Sequence, residues 1–165
     1  MEKTLEKGEN RLKNLRLEVK EMKGEGESSI VAEEAREVAE EYKMQWEKKK
    51  EEIGKMERIK IDEERAYQGE LKNGKRNGFG ILFFTSGQNK GDKYEGEYKE
   101  GKKNGKGIYY WADGRRYEGE YNEGKKNGKG IYYWASGKRY EGEWKEDMKN
   151  GKGIYYWPNK DWEEG

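Results

Sequence analysis

The stretch YEGEYKEGKKNGKGIYYWADGRR (Tyr94–Arg116) is the most informative part of this sequence. It is followed at once by YEGEYNEGKKNGKGIYYWASGKR (Tyr117–Arg139), and a third version begins at Tyr140. A more divergent version begins at Tyr67, and DWEEG at the end of the sequence resembles the truncated start of a fifth, near residue 162. Similar units at a fixed spacing are typical of an elongated repeat architecture, in which each unit packs on its neighbours.

Each copy has the pattern of a β-hairpin. In the copy at Tyr94 the alternation predicts one strand over Tyr94–Lys99 and a second over Lys106–Trp111. The intervening segments Gly101–Gly105 and Ala112–Arg116 are predicted to be turns. Their Asn-Gly and Asp-Gly pairs provide the positive φ angles that hairpin turns require.

The two faces of such a hairpin differ in chemistry. Successive side chains in a strand point to opposite faces, so Tyr94, Gly96 and Tyr98 share one face and Glu95 and Glu97 share the other. In the motif GIYYW the same alternation groups the glycine with the first tyrosine and the tryptophan. We therefore expect rings that lie over glycines on one face, and charges that keep the other face in contact with water.

The fold class predicted from this pattern is α+β: an elongated single-layer antiparallel β-solenoid of hairpins with an N-terminal helical region. Residues 1–66 form a charged amphipathic region with predicted helices at about 10–23 and 29–58, and residues 67–165 form the repeat domain. The first helix carries a seam of apolar side chains, namely Leu12, Leu15, Val19 and Met22. The second helix, roughly 42 Å long at 1.5 Å per residue, is long enough to cover the sheet. Packing on this sheet and docking on another protein both remain open for these helices.

The composition excludes several classes of function. The chain has no Cys and no His, which removes disulfides, thiol and imidazole catalysis and the usual zinc ligands. Only 30% of the residues are hydrophobic and 43% are charged, while Tyr (13) and Trp (6) are abundant. The sequence MEKTLEKGEN at the N-terminus has no apolar signal segment. We expect a non-enzymatic, soluble, intracellular protein without cofactor or metal.

The sequence YEGEYKEGKKNGKGIYYWADG and its near copies resemble the MORN repeat (membrane occupation and recognition nexus), with the consensus Y-x-G-x-[WY]-x-x-G-x-x-x-G-x-G. The resemblance runs from Tyr67 to the end of the sequence, and the copy at Tyr67 departs from it with Leu71 in place of the second aromatic residue. It implies an extended, twisted antiparallel sheet of stacked hairpins. It also implies a scaffold: a subunit of the axoneme in a cilium or flagellum, an organiser of the cytoskeleton, or a tether at membrane junctions.

We therefore expect a scaffold or adaptor that binds other proteins of a multi-subunit assembly through the aromatic, glycine-lined sheet face and the N-terminal helices, with homo-oligomers also possible. The sheet residues predicted to bind protein are Tyr94, Tyr98, Tyr109, Trp111, Tyr117, Tyr121, Tyr132, Trp134, Tyr140, Trp144, Tyr155 and Trp157. The helix residues are Leu12, Leu15, Val19 and Met22.

The alternative is a membrane tether. The lysine-rich turns would meet anionic lipid headgroups through Lys102, Lys103, Lys125 and Lys126, although the interleaved glutamates oppose this attraction. The recurring NGKG segment is interpreted as turn chemistry, because a phosphate-binding loop needs a helix N-terminus and this segment lies between strands. Nucleic acid is not expected as a partner, because acidic residues alternate with the basic ones throughout.

Overall fold

The computed structural model describes residues 10–11, 26–158 and 162–164. The long helix α1 (Glu27–Gly54) is followed by ten strands, and these form one antiparallel sheet in chain order. The strands are β1 (Ile59–Lys60), β2 (Arg65–Lys72), β3 (Lys75–Phe84), β4 (Lys93–Lys99), β5 (Lys102–Tyr110), β6 (Arg116–Asn122), β7 (Lys125–Tyr133), β8 (Arg139–Lys145), β9 (Met148–Tyr156) and β10 (Trp162–Glu164). The predicted fold class, α+β with a single-layer sheet of hairpins, is confirmed.

The hairpin turns are shorter than the sequence suggested. Strand β5 begins at Lys102, so the predicted five-residue turn over Gly101–Gly105 is wrong. The turn consists of Glu100 and Gly101, with φ angles of 50° and 80°. A two-residue type I′ turn requires positive φ at both central positions, and its twist matches that of the flanking strands.

The segment predicted as a turn contains a β-bulge instead. The register between β4 and β5 shifts between Gly96 and Tyr98, and Gly105 opposite has a φ of 88°. At this point a carboxylate oxygen of Glu97 accepts a hydrogen bond of 2.6 Å from the backbone N–H of Lys106. Because a Cβ at Gly105 would overlap the Glu97 carboxylate, glycine is the residue that fits there.

Helix α1 packs on one face of the sheet along its length. Its small side chains Ala35 and Ala39 are buried against Ile131 of β7. The helix begins two residues before the predicted start at 29 and ends at Gly54 rather than 58, because the chain turns back after Gly54 to enter β1. The sequence left open whether this helix packs on its own sheet or docks on another protein. In the structure it packs on its own sheet.

The sheet extends beyond the predicted repeats. Strand β1 pairs with β2 through Ile59 opposite Tyr67, so the sheet includes residues before the first copy. At the other end β10 pairs with β9, which places the start of a fifth copy in the sheet. Of the helix predicted at about 10–23, the structure describes only Asn10 and Arg11, which are helical, and the seam of Leu12, Leu15, Val19 and Met22 lies outside the described residues.

Candidate binding surfaces of the sheet

The first tyrosine of each repeat is fully enclosed. Tyr94 and Tyr117 are both 0% exposed, and their hydroxyl groups donate hydrogen bonds of 3.0 Å to the backbone carbonyls of Glu97 and Glu120. Each ring occupies the space that a side chain on the facing glycines would need. The predicted arrangement of rings over glycines is confirmed, and it lies within one hairpin. Tyr140 is enclosed in the same way.

The second aromatic residue of each repeat joins neighbouring hairpins. The ring of Tyr121 makes edge-to-face contacts with Tyr94 of the preceding repeat and Tyr117 of its own, each with 5.3 Å between ring centroids. Trp144 bridges Tyr117 and Tyr140 in the same manner. Aromatic pairs of this geometry stabilise by roughly 0.5–1.5 kcal/mol beyond their buried area. These rings hold the repeats together and are themselves buried, as is Tyr98.

A third row of rings lies near the ends of the odd-numbered strands, and it is only partly covered. Tyr109 and Tyr132 are 9% exposed, whereas Trp111, Trp134 and Trp157 are half-buried, and we name these three residues the tryptophan row. The tilted rings follow one another from Tyr109 to Trp111, Tyr132 and Trp134, with centroids 4.5, 5.4 and 4.7 Å apart. Tyr155, also half-buried, lies between Trp134 and Trp157.

Cations from the turns lie beside the tryptophan row. The guanidinium of Arg115 is 5.0 Å from the ring centroid of Trp111. The ammonium of Lys138 is 4.8 Å from the centroid of Trp134 and 4.1 Å from that of Trp157. Each cation is within the range of attraction to a ring face. The row is thus an accessible apolar surface with basic residues at its border.

The four lysines predicted to meet lipid have two kinds of environment. Lys102 and Lys125 are more than half exposed, and their ammonium groups lie 3.1 and 2.8 Å from the carboxylates of Glu123 and Glu146. Lys103 and Lys126 instead lie over aromatic rings, and burial lowers the pKa of both ammonium groups. Lys126 contacts four rings, of which Trp144 is the nearest at 5.5 Å from its centroid.

The face opposite the rings is covered by α1, and the expectation that its charges stay in contact with water is wrong for three glutamates. Glu95, Glu118 and Glu141 are 7%, 3% and 2% exposed. The alternation of side chains correctly places these glutamates on the face opposite the rings. They are buried because α1 packs on that face as the second layer that a single sheet lacks. Burial raises the pKa of Glu95, and nearby Lys93 opposes that shift.

Two rows of ion pairs connect α1 to this face. In the first row, glutamates of the helix pair with the lysine of the NGKG segment in successive repeats: Glu27 with Lys152, Glu34 with Lys129 and Glu41 with Lys106. In the second row, helix cations pair with the buried glutamates: Arg36 with Glu141 and Lys43 with Glu118, both at 3.5 Å. Partners recur every seven residues in the helix and every repeat in the sheet.

The sequence carries a signal for this contact in two series of charged residues. Glu27, Glu34 and Glu41 recur at intervals of seven in the helix, and Lys106, Lys129 and Lys152 recur at the repeat length. Only the structure brings the two series together.

The predicted sheet residues are all on the ring face, with most of their area packed within the sheet, and their part in binding remains a prediction.

A family model for the MORN repeat matches residues 67–88, 94–115, 117–139 and 140–162. These matches cover more than half of the sequence, and they coincide with the hairpins whose rings and glycines are described above. The chain belongs to the MORN-repeat family. A search of curated proteins gives no match to the chain.

Membership of this family indicates an adaptor role in binding proteins or membranes, since MORN repeats are generally non-catalytic binding modules. Within the described residues, no helix has the length and apolar character needed to cross a membrane. In the same part of the chain, no group of three or more acidic side chains is placed to hold a metal ion.

Proposed function

We propose that this chain is a non-catalytic scaffold or adaptor subunit of a larger protein assembly in the ciliary axoneme or cytoskeleton, and that it binds a protein partner through the tryptophan row. The observation that supports this most is the contrast between the aromatic rows. The first and second rows are buried within the sheet, whereas Trp111, Trp134 and Trp157 are only partly buried and form a line connected through tyrosine rings.

The tryptophan row has the properties of a protein-binding surface. Tryptophan is enriched among the residues that dominate binding energy, because a large rigid ring buries much area for little loss of conformational freedom. Here Tyr132 and Tyr155 pack between the tryptophans and limit their motion. Arg115 and Lys138 at the border favour a partner with acidic residues flanking an apolar segment.

Purification from native cells tests the assembly. The tagged chain, isolated at physiological salt, is expected to elute in a stable complex with several other proteins. The same chain in a fluorescent fusion is expected to label the axoneme or the cytoskeleton. Elution as a free single chain without partners contradicts the scaffold proposal, and a diffuse distribution contradicts its cellular setting.

The membrane alternative is less well supported by the geometry. Of its four lysines, two are paired with glutamates and two lie over rings, so few ammonium groups are directed at a surface. Flotation with vesicles that contain phosphoinositide separates the two functions. We expect no binding at physiological salt. Salt-sensitive binding that is lost in the double variant K102S/K125S would establish lipid recognition instead.

A further inference from the structure

The ion pairs between α1 and the sheet have matched periods. Seven residues of helix advance about 10.5 Å, and the two strands of one repeat advance about 9.6 Å. A glutamate of the helix therefore meets a lysine in each of three successive repeats, as Glu27, Glu34 and Glu41 do. The sheet face thus recognises a helix by its charge spacing.

The rest of this contact is made by small side chains. Ala32, Ala35 and Ala39 are buried against the sheet. Between residues 27 and 42 of the helix, the large apolar side chains that are buried are those of Ile30 and Tyr42. The ion pairs around these alanines specify the register and polarity of the helix, because a shift of the helix removes Arg36 and Lys43 from the buried Glu141 and Glu118, which then keep only the arginines of their own strands, Arg139 and Arg116. Any helix with the same charge spacing satisfies the face equally well, and a second copy of α1 has that spacing.

The segment that connects α1 to the sheet can act as a hinge. Lys55, Met56, Glu57 and Arg58 link the end of the helix to β1, and all four are exposed. Opening this turn would let the helix leave its own sheet without disturbing any strand. Such short connections are the positions at which identical chains exchange an element.

Exposed apolar side chains lie in this hinge and in or between the first two strands that follow it. Met56, Ile59, Ile61 and Leu71 are 36%, 38%, 39% and 49% exposed, and they are four of the six large hydrophobic residues that are most exposed in the described part of the chain. Within that part, β1 is the edge strand of the sheet, paired only with β2. An exposed edge strand with apolar neighbours is a site at which another strand can add.

We propose that two copies of this chain meet along β1 and exchange α1, so that the helix of each lies on the sheet of the other. With the hinge extended, α1 passes over the β1 edge and lies with its C-terminal end on the partner's β2 and its N-terminal end on the partner's β9, which is the polarity it has within one chain. Every ion pair between helix and sheet is re-formed across the two copies. The contact between the β1 edges buries Met56, Ile59 and Ile61, which is the gain that favours the dimer.

Two full-length variants test this exchange. Variant A, E27K/E34K/E41K, carries lysines in both helix and sheet, and variant B, K106E/K129E/K152E, carries glutamates in both. Each is mismatched within one chain, but the helix of A matches the sheet of B and the helix of B matches the sheet of A. We expect each variant alone to remain at single-chain mass or to unfold, and their mixture to form a 1:1 complex of twice the chain mass by light scattering.

Two controls separate exchange from simple attraction between opposite charges. The pair E40K/E47K/E51K and K75E/K102E/K125E has the same net charges as A and B, but the changes lie on exposed side chains. Because their helix–sheet ion pairs are intact, each member of this pair should form the exchanged dimer by itself, as the wild type should, and mixing the two should leave that mass unchanged. A chain that carries all six changes of A and B is matched within itself, so it should fold like the wild type and not combine with A or B.

The mass of the mixture of A and B decides between the two outcomes. The exchange is supported if A and B reach twice the chain mass only when they are mixed, whereas each member of the charge-matched pair has that mass alone. If the six-change chain folds while the mixture of A and B stays at single-chain mass, the helix is held only within its own chain and the proposal fails. Neither result depends on the tryptophan row, which lies on the opposite face.

Discussion

Gly130 illustrates how closely single residues are fitted in this sheet. Its Cα faces the ring of Tyr117, and the hydroxyl group of Tyr117 donates a hydrogen bond to the backbone carbonyl of Glu120. A tyrosine at the start of each repeat and glycines opposite it are thus one packing unit. The unit explains why glycine stands inside strands, where it otherwise weakens them.

The substitution Gly130→Ala is expected to destabilise the protein by about 1–3 kcal/mol, because the new Cβ overlaps the buried Tyr117 ring and the core has no room to adjust. Urea unfolding followed by tryptophan fluorescence measures the change. Gly54→Ala is the matched control, since a Cβ there meets nothing within 4 Å. Equal stability of the two variants would contradict the packing account.

Glu95 leads to a pH-dependent prediction. Burial raises its pKa above the ordinary value of 4.5, so the folded state binds this proton more tightly than the unfolded chain. Its contribution to stability is complete below pH 4.5 and is lost as pH rises through the raised folded-state pKa. We therefore expect Glu95→Gln to become more stable relative to wild type as pH rises through that window.

The measurement is urea unfolding of both proteins at a series of pH values, with Glu100→Gln, a change at an exposed turn residue, as control. A constant difference in free energy between Glu95→Gln and wild type at all pH values would show that Glu95 does not titrate in a buried setting.

At the scale of the elements, the hairpins could be predicted from the sequence and the helix contact could not. The alternation of Tyr94, Gly96 and Tyr98 predicts which side chains share a face, because strand geometry alone decides it. The burial of Glu118 depends on which face α1 covers, and that is set by partners distant in the chain, such as Lys43. The turn was misplaced because Asn-Gly is a strong hairpin signal, whereas Glu100 takes positive φ only in this context.

The match between helix and repeats can be tested by deletions in α1. Removal of seven residues, 34–40, moves each charge that precedes the deletion by one repeat and keeps the register, so α1 should stay docked over the repeats that it still reaches. Removal of five residues, 34–38, rotates the earlier part of the helix by about 140° relative to the later part at 100° per residue, so that charges and alanines leave the sheet.

Hydrogen exchange of the α1 amides reports the docking. We expect protection to persist after the seven-residue deletion and to be lost N-terminal to the deletion when five residues are removed. Similar protection in both variants would mean that the helix is held without regard to its charge spacing.

For the whole molecule, the two faces of one sheet have separate tasks. One face binds α1 through charges repeated at the helix and repeat periods, and the other is built of rings that pack on each other and leave the tryptophan row accessible. The rigid ring stack fixes the spacing of Trp111, Trp134 and Trp157. A scaffold needs such a fixed spacing of the side chains that it presents to a partner. Which protein binds there depends also on the surface of the partner, so the partner could not be predicted from the repeats.

The most direct test of the adaptor account is the recovery of partners by a tryptophan-row variant. The tagged triple variant W111A/W134A/W157A and the control K102S/K125S are purified from native cells beside the wild type, after circular dichroism has shown that each is folded. We expect the control to retain the co-purifying proteins and the tryptophan variant to lose them. Retention of the same partners by the folded tryptophan variant would contradict the claim that this row is the binding surface.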